Sequence, residues 1–190
     1  MAEHVCPVWA GYFLANRLRK WLHNPDRIVG PYVGPGMTVL DFGSAMGFFS
    51  LPMAETVGPG GKVVCVDLQS GMLDALRRRA ARAGLADRIE TQVSTENSTG
   101  LRDCENRFDF ALAFTVLHEV RGRQAVIEEI ASMLKPGASF LVTEPIKHVS
   151  PAEFQRTLTE AEAAGLSVTE RPRICLSQSA LLIKREGEAS

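Results

Sequence analysis

From Thr38 to Glu144 the chain repeats one arrangement: a short apolar run, a turn, then a stretch with helical periodicity. Apolar runs with no polar face are strands covered on both sides, and parallel strands need crossover helices between them. The alternation therefore commits the chain to an α/β fold with a mainly parallel sheet and helices on both faces. Strands are expected at Thr38–Phe42, Lys62–Asp67, Ile89–Val93, Phe108–Phe114 and Ser139–Glu144. Between them, one helix is expected over Phe48–Val57. A second starts at a Ser70 cap, carries the stripe Met72, Leu73, Leu76, Ala80 and Ala83, and closes on a left-handed Gly84. A third is marked by Val126, Ile127, Ile130, Met133 and Leu134, with Lys135-Pro136-Gly137 as the turn into the fifth strand.

The flanks read differently. Ser150-Pro151-Ala152-Glu153 has capping-box spacing with proline in the first turn, which predicts a helix over 151–164 closed by Gly165. Two strands follow, about Leu166–Arg171 and Ala180–Lys184, as an antiparallel pair. Residues 8–23 place Trp9, Phe13, Leu14, Leu18, Trp21 and Leu22 opposite Arg17, Arg19 and Lys20, the pattern of a covering helix. Asn24-Pro25 then caps a short helix stopped by Gly30-Pro31. A chain of 190 residues with 45% hydrophobic content forms a single domain. Within it, 1–30 is an N-terminal helical cover, 37–144 the core, and 150–185 a C-terminal helix and strand pair.

Charge narrows the partners. Lys and Arg total 21 against 22 Asp and Glu, so a net charge of −1 gives no reason to expect nucleic acid or an anionic membrane. No apolar run reaches the roughly 18 residues that suggest a membrane span. Cys6, Cys65, Cys104 and Cys175 lie far apart, and His4, Cys6 and His148 do not make a closed zinc set. A cytoplasmic protein with reduced thiols, no metal and a small-molecule substrate is expected, with a homodimer as one way to cover that substrate.

The chemistry concentrates in Val39-Leu40-Asp41-Phe42-Gly43-Ser44-Ala45-Met46-Gly47. A buried strand ends in an acid, and a small-residue turn leads to a helix, so backbone N–H groups and a helix N-terminus are expected to face a crevice at the strand's carboxyl edge, where a nucleotide-like ligand binds. Asp67 ends the second strand 26 residues after Asp41 and suits ribose hydroxyls. This stretch resembles the first motif of class I S-adenosylmethionine-dependent methyltransferases, an acid-x-Gly-x-Gly-x-Gly, with Asp41, Gly43 and Gly47 matching and Ala45 at the middle glycine. Phe114-Thr115-Val116-Leu117-His118-Glu119 resembles the fourth motif of that family, and Leu134-Lys135-Pro136-Gly137 the approach to its fifth strand.

The resemblance implies a seven-stranded Rossmann-like sheet with an antiparallel last strand, and S-adenosyl-L-methionine as cofactor. It implies that Asp41 helps to hold the methionine end, that Gly43, Ser44, Ala45 and Gly47 lie under the cofactor, and that Asp67 meets the ribose. Leu68 and Met72 are placed to pack the adenine, Ser94 and Thr95 stand where the family often has an acid for the adenine amino group, and Phe114 borders the same site. His118 and Glu144, each at a strand's carboxyl edge, are the candidates for moving a proton. Two rivals keep the fold: a non-catalytic S-adenosylmethionine-binding module, and a nicotinamide-dependent oxidoreductase. The latter needs glycines where Ala45 and Phe48 stand.

Overall fold

A computed structural model describes residues 23–186. The expected covering helix over 8–23 therefore lies outside the described residues, apart from His23. Asn24 does cap the short helix α1 (Pro25–Ile28), accepting the Asp26 N–H with its side chain. Next come β1 (Thr38–Phe42), α2 (Ser50–Val57), β2 (Lys62–Asp67), α3 (Ser70–Arg82), β3 (Ile89–Val93), β4 (Phe108–Phe114), α4 (Arg123–Met133), β5 (Leu134–Pro145), α5 (Pro151–Ala163), β6 (Leu166–Glu170) and β7 (Ser177–Lys184).

The seven strands form one sheet in the order β3-β2-β1-β4-β5-β7-β6. Neighbours from β3 through β5 are parallel, while β7 runs antiparallel to both β5 and β6. The strand order reverses between β1 and β4, and in such sheets ligands bind beyond the carboxyl ends at that switch point. Alternate residues of each central strand feed two apolar layers. Leu40, Ala111, Phe140 and Val142 pack with α4 and α5 on one face; Val39, Phe110, Leu112 and Leu141 pack with α1, α2 and α3 on the other. Both faces are covered, so these strands carry no polar alternation, which is why their bounds are legible from apolar runs alone.

Four local expectations are corrected. Helix α2 begins at Ser50 rather than Phe48, because residues 44–49 are used in a longer turn. Ser70 is the first helical residue of α3 and not its cap. Gln69 takes that position without a side-chain bond, and Asp67 Oδ1 accepts the Gln69 N–H at 2.9 Å. Lys135-Pro136-Gly137 is not a turn before β5 but an irregular stretch inside it: Leu134 already pairs with Phe108, and the register then slips so that Ser139 pairs with Phe110. A bulge of this kind accommodates Pro136, which has no N–H for a regular ladder. The last strand starts at Ser177, ahead of the expected Ala180. The capping box of α5 forms as expected: Ser150 Oγ accepts the Glu153 N–H and the Glu153 carboxylate accepts the Ser150 N–H.

Candidate active site at the carboxyl edge of the sheet

Asp41 is 2% exposed on the α2 face of β1, where Ser50 Oγ donates to its Oδ2 at 2.5 Å. The sequence does not single out Ser50; the only hint is a hydroxyl at the first position of a helix whose first turn is otherwise apolar. Beyond Phe42 the chain turns sharply, with Gly43 at φ 77°, Ala45 at φ 45° and Gly47 at φ 81°. Alanine in this left-handed region carries a steric cost that glycine escapes. Ala45 thus keeps the backbone shape of the missing glycine.

The turn's amides do not face the crevice as the sequence suggests. Gly43 and Ser44 donate to the Val66 carbonyl, Ala45 to Asp67 Oδ2 at 2.9 Å, and Gly47 to the Ser44 carbonyl. The left-handed residues fold the turn back onto the end of β2, consuming these donors. The Ser44 hydroxyl remains: buried, and without a hydrogen-bond partner among the described residues. A buried hydroxyl rarely stays unpaired unless a ligand or water completes it.

Asp67 is therefore a brace as well as a candidate ligand group. Its two oxygens accept the Ala45 and Gln69 amides, tying the β1 turn to the start of α3. Burial raises its pKa, against the pull of those two hydrogen bonds. Each carboxylate oxygen has a second lone pair for a further donor. Leu68 beside it is 43% exposed, whereas Met72 is buried against Met46 and Ala75 in a small cluster behind the turn. Ser94 is buried and donates its N–H to the Asp67 carbonyl, while Thr95 is exposed and bridges to Ser98. These residues thus gather around the tips of β1, β2 and β3.

The tip of β4 is built from strain. Thr115, a β-branched residue, sits at φ 57°, held by its N–H donating to the Thr143 carbonyl at 2.6 Å. This bend drives Val116 under the β1 turn so closely that a Cβ on Gly43 would lie 2.6 Å from Val116 Cγ2. At Gly47 the corresponding neighbour is Leu76, at 3.0 Å. Gly43 is thus required by packing between turns, while Gly47 combines a positive φ with a close Leu76 side chain on α3. Phe114 lies in the α2-side layer, its ring 4.5 Å from that of Phe49 and 5.3 Å from that of His23.

A single helical turn, Leu117–Glu119, follows, anchored by fully buried Leu117. It brings His118 onto Glu144 at the end of β5. The Nδ1–carboxylate distance is 2.5 Å, and the His118 backbone N–H donates to the other oxygen at 3.3 Å. Glu144 is 1% exposed, so its carboxylate grips the histidine twice from within the protein. A carboxylate only accepts, so Nδ1 carries the proton and the neutral ring presents Nε2 outward as a lone pair. That hydrogen bond raises the His118 pKa above its ordinary value, outweighing partial burial. Glu119 Oε1 lies 3.9 Å from Nε2, and the His148 ring is 6.1 Å from that of His118. Burial raises the Glu119 pKa, helped by repulsion from Glu144 and Asp67 and opposed by His118 and His148.

A doubly covered parallel sheet with two acids, a braced turn and a histidine–carboxylate pair around its switch point defines an α/β protein of the kind that binds its ligands beyond the strands' carboxyl ends. Residues 34–179 match the family model of a methyltransferase domain, and the chain belongs to that family, within the class I S-adenosylmethionine-dependent methyltransferases. A demethylmenaquinone methyltransferase of Symbiobacterium thermophilum is 32% identical over 136 residues, covering 72% of this chain and 53% of that protein. A ubiquinone/menaquinone biosynthesis C-methyltransferase of Ectopseudomonas mendocina is 32% identical over 158 residues, 80% of this chain and 60% of that one. The chain spans about half the length of the first curated relatives it matches. In fold it is similar to the crystal structure of a SAM-dependent methyltransferase from Aquifex aeolicus, with TM-score 0.83, 22% identity, and coverage of 95% of this chain and 100% of that one. Among the described residues no helix is long and apolar enough to cross a membrane.

The donor set fits the cofactor of that class. S-adenosylmethionine offers an ammonium and ribose hydroxyls as donors and a carboxylate as acceptor. Asp41 and Asp67 supply acceptors at the tips of β1 and β2, and the orphaned Ser44 hydroxyl supplies a donor in the turn between β1 and α2.

Proposed function

We propose that this chain transfers a methyl group from S-adenosylmethionine to a small aromatic acceptor bearing an oxygen, and that His118 takes the proton the acceptor loses. The cofactor, when bound, supplies a methyl group on a positively charged sulfur. The residues that would hold it are Asp41, the turn Gly43–Gly47 with Ser44, and Asp67, with Leu68, Met72, Ser94, Thr95 and Phe114 around them. The relatives' names put quinone-type rings first among acceptors, and the near-neutral composition agrees with an uncharged one.

The observation that carries the reading is the pairing of His118 with Glu144 at adjacent strand tips. A sulfonium methyl is already activated, so the chain's own task is to align an electron-rich atom and remove its proton. Glu144 fixes the ring's orientation and tautomer, and its negative charge stabilises the imidazolium that proton uptake creates. The raised pKa makes the neutral ring a stronger base than free histidine.

The test is incubation of the protein with methyl-deuterated S-adenosylmethionine and a panel of hydroxylated aromatics, including a short-tailed demethylmenaquinol, followed by mass spectrometry. Label is expected in an aromatic product with wild type, and its yield should collapse in His118→Ala. Tight cofactor binding with no labelled product from any acceptor would favour the non-catalytic binder instead.

A further inference from the structure

One polar feature of the sheet remains outside the site described so far. Thr143 on β5 and Ser179 on β7 are paired in the antiparallel register. Both are buried, Thr143 at 0% and Ser179 at 6% exposure, and neither hydroxyl has a hydrogen-bond partner among the described residues. They do not bond to each other. Two unpartnered hydroxyls at neighbouring positions in one apolar layer are a feature that native interiors rarely keep without use.

Their position gives them a direction. Side chains alternate across β5, so Thr143 faces the same layer as Leu141, the layer of Phe114 and Leu181, whereas Glu144 faces the opposite one. Phe114 is the register neighbour of Thr143 on β4, and its ring meets those of Phe49 and His23. Thr143 is also the residue immediately before Glu144, and its carbonyl holds the strained Thr115 that precedes the His118 turn. The pair therefore sits at the carboxyl end of β5, beside Phe114 and next in sequence to Glu144 but on the other face of the sheet.

We infer that Thr143 and Ser179 form a recognition subsite for an oxygen atom of the methyl acceptor, a phenolic hydroxyl or carbonyl carried on a flat aromatic ring. Two hydroxyls can both donate to such an oxygen, and the neighbouring Phe114 ring suits an aromatic body. Specificity follows from what happens without that oxygen: a ring lacking it leaves both hydroxyls unpaired, which penalises the wrong ligand. The inference rests on the proposed acceptor class and deepens it.

The probes are 1-naphthol and 1-methylnaphthalene, equal in shape but differing in the oxygen, titrated into the full chain saturated with S-adenosylhomocysteine. Wild type should bind the naphthol about tenfold or more tightly than the methyl compound, the range expected for one or two hydrogen bonds. The Thr143→Val and Ser179→Ala variants should each shrink that ratio severalfold, the double variant to near unity. Their melting temperatures should not fall, since the changes remove unpaired polar groups. Undiminished discrimination in the double variant would overturn the subsite. So would lowered melting temperatures with unchanged discrimination, which would assign the hydroxyls to buried water. Failure of the cofactor product itself to bind would instead strike the proposed function, and calorimetry with S-adenosylhomocysteine alone reports that separately.

Discussion

The tips of β1 and β2 and the tips of β4 and β5 stand side by side yet are built on opposite principles. At the first pair, acids are spent on the protein itself: Asp67 holds two backbone amides and Asp41 a serine hydroxyl. At the second, Glu144 holds an ionisable ring whose far nitrogen remains turned outward. The first region is a braced turn, and the second carries a histidine whose hold on a proton is strengthened by its carboxylate partner. The proposed reaction would use both, the one to hold a cofactor and the other to take the acceptor's proton.

Breaking the second region should have the largest effect. His118→Ala and Glu144→Gln are expected to lower kcat about 100-fold or more, in the range of general-base catalysis, with S-adenosylhomocysteine affinity within about twofold of wild type. Equal losses of cofactor affinity would erase the distinction between the regions. Asp67→Asn should do the reverse, weakening cofactor affinity about tenfold or more by calorimetry, as expected for a lost charge-assisted hydrogen bond, while sparing the pH profile.

The pH dependence sharpens the contrast further. Because Glu144 favours the imidazolium, His118 has a raised pKa, and a base works only when neutral. kcat/KM should therefore rise with pH through an inflection above histidine's ordinary value near 6.5, and Glu144→Gln should move that inflection to lower pH. Stability should follow the same linkage. The His118–Glu144 pairing contributes fully below the unfolded-state pKa of histidine and less as pH rises through the folded value. The melting-temperature gap between wild type and His118→Ala should accordingly be wider at pH 6 than at pH 9.

Smaller effects belong to the cradle's backbone. Gly43→Ala places a methyl 2.6 Å from Val116 Cγ2 at a positive φ, and should cost about 2–3 kcal/mol by denaturant unfolding, part of it recovered by Val116→Ala. Ala45→Gly should change stability least, by under about 1 kcal/mol. Relief of the left-handed alanine is offset by glycine's freedom in the unfolded chain.

Much of this architecture was legible in the residues, for physical reasons. Buried parallel strands show as largely apolar runs, so β1, β2 and β4 fall where Thr38–Phe42, Lys62–Asp67 and Phe108–Phe114 place them, while the half-buried edge strand β3 falls at Ile89–Val93 from its place in the alternation. Errors arose where a side chain had a long-range use that local patterns do not encode. Ser50 looks like any helix-start serine until β1 brings Asp41 beside it. Ser70 differs for a local reason: α3 takes it as its first residue, with Gln69 at the cap and the Gln69 N–H donating to Asp67. Lys135-Pro136-Gly137 reads as a turn because proline and glycine usually make one, yet pairing with β4 draws it into β5. His118 and Glu144 were visible singly as residues at strand edges. Their contact depends on the β4–β5 register, which no sequence spacing reveals. Thr143 and Ser179 left only a faint signal, polar residues within apolar runs, and their pairing waits on β7 running antiparallel beside β5.

Calorimetric titration of S-adenosylhomocysteine into wild type, Asp67→Ala and His118→Ala is the most direct check of the proposal that the tips of β1 and β2 hold the nucleoside and those of β4 and β5 perform proton transfer. Wild type and His118→Ala should bind with closely similar affinity, and Asp67→Ala should bind at least tenfold more weakly. Binding by Asp67→Ala as tight as wild type, or its loss in His118→Ala, would contradict that division.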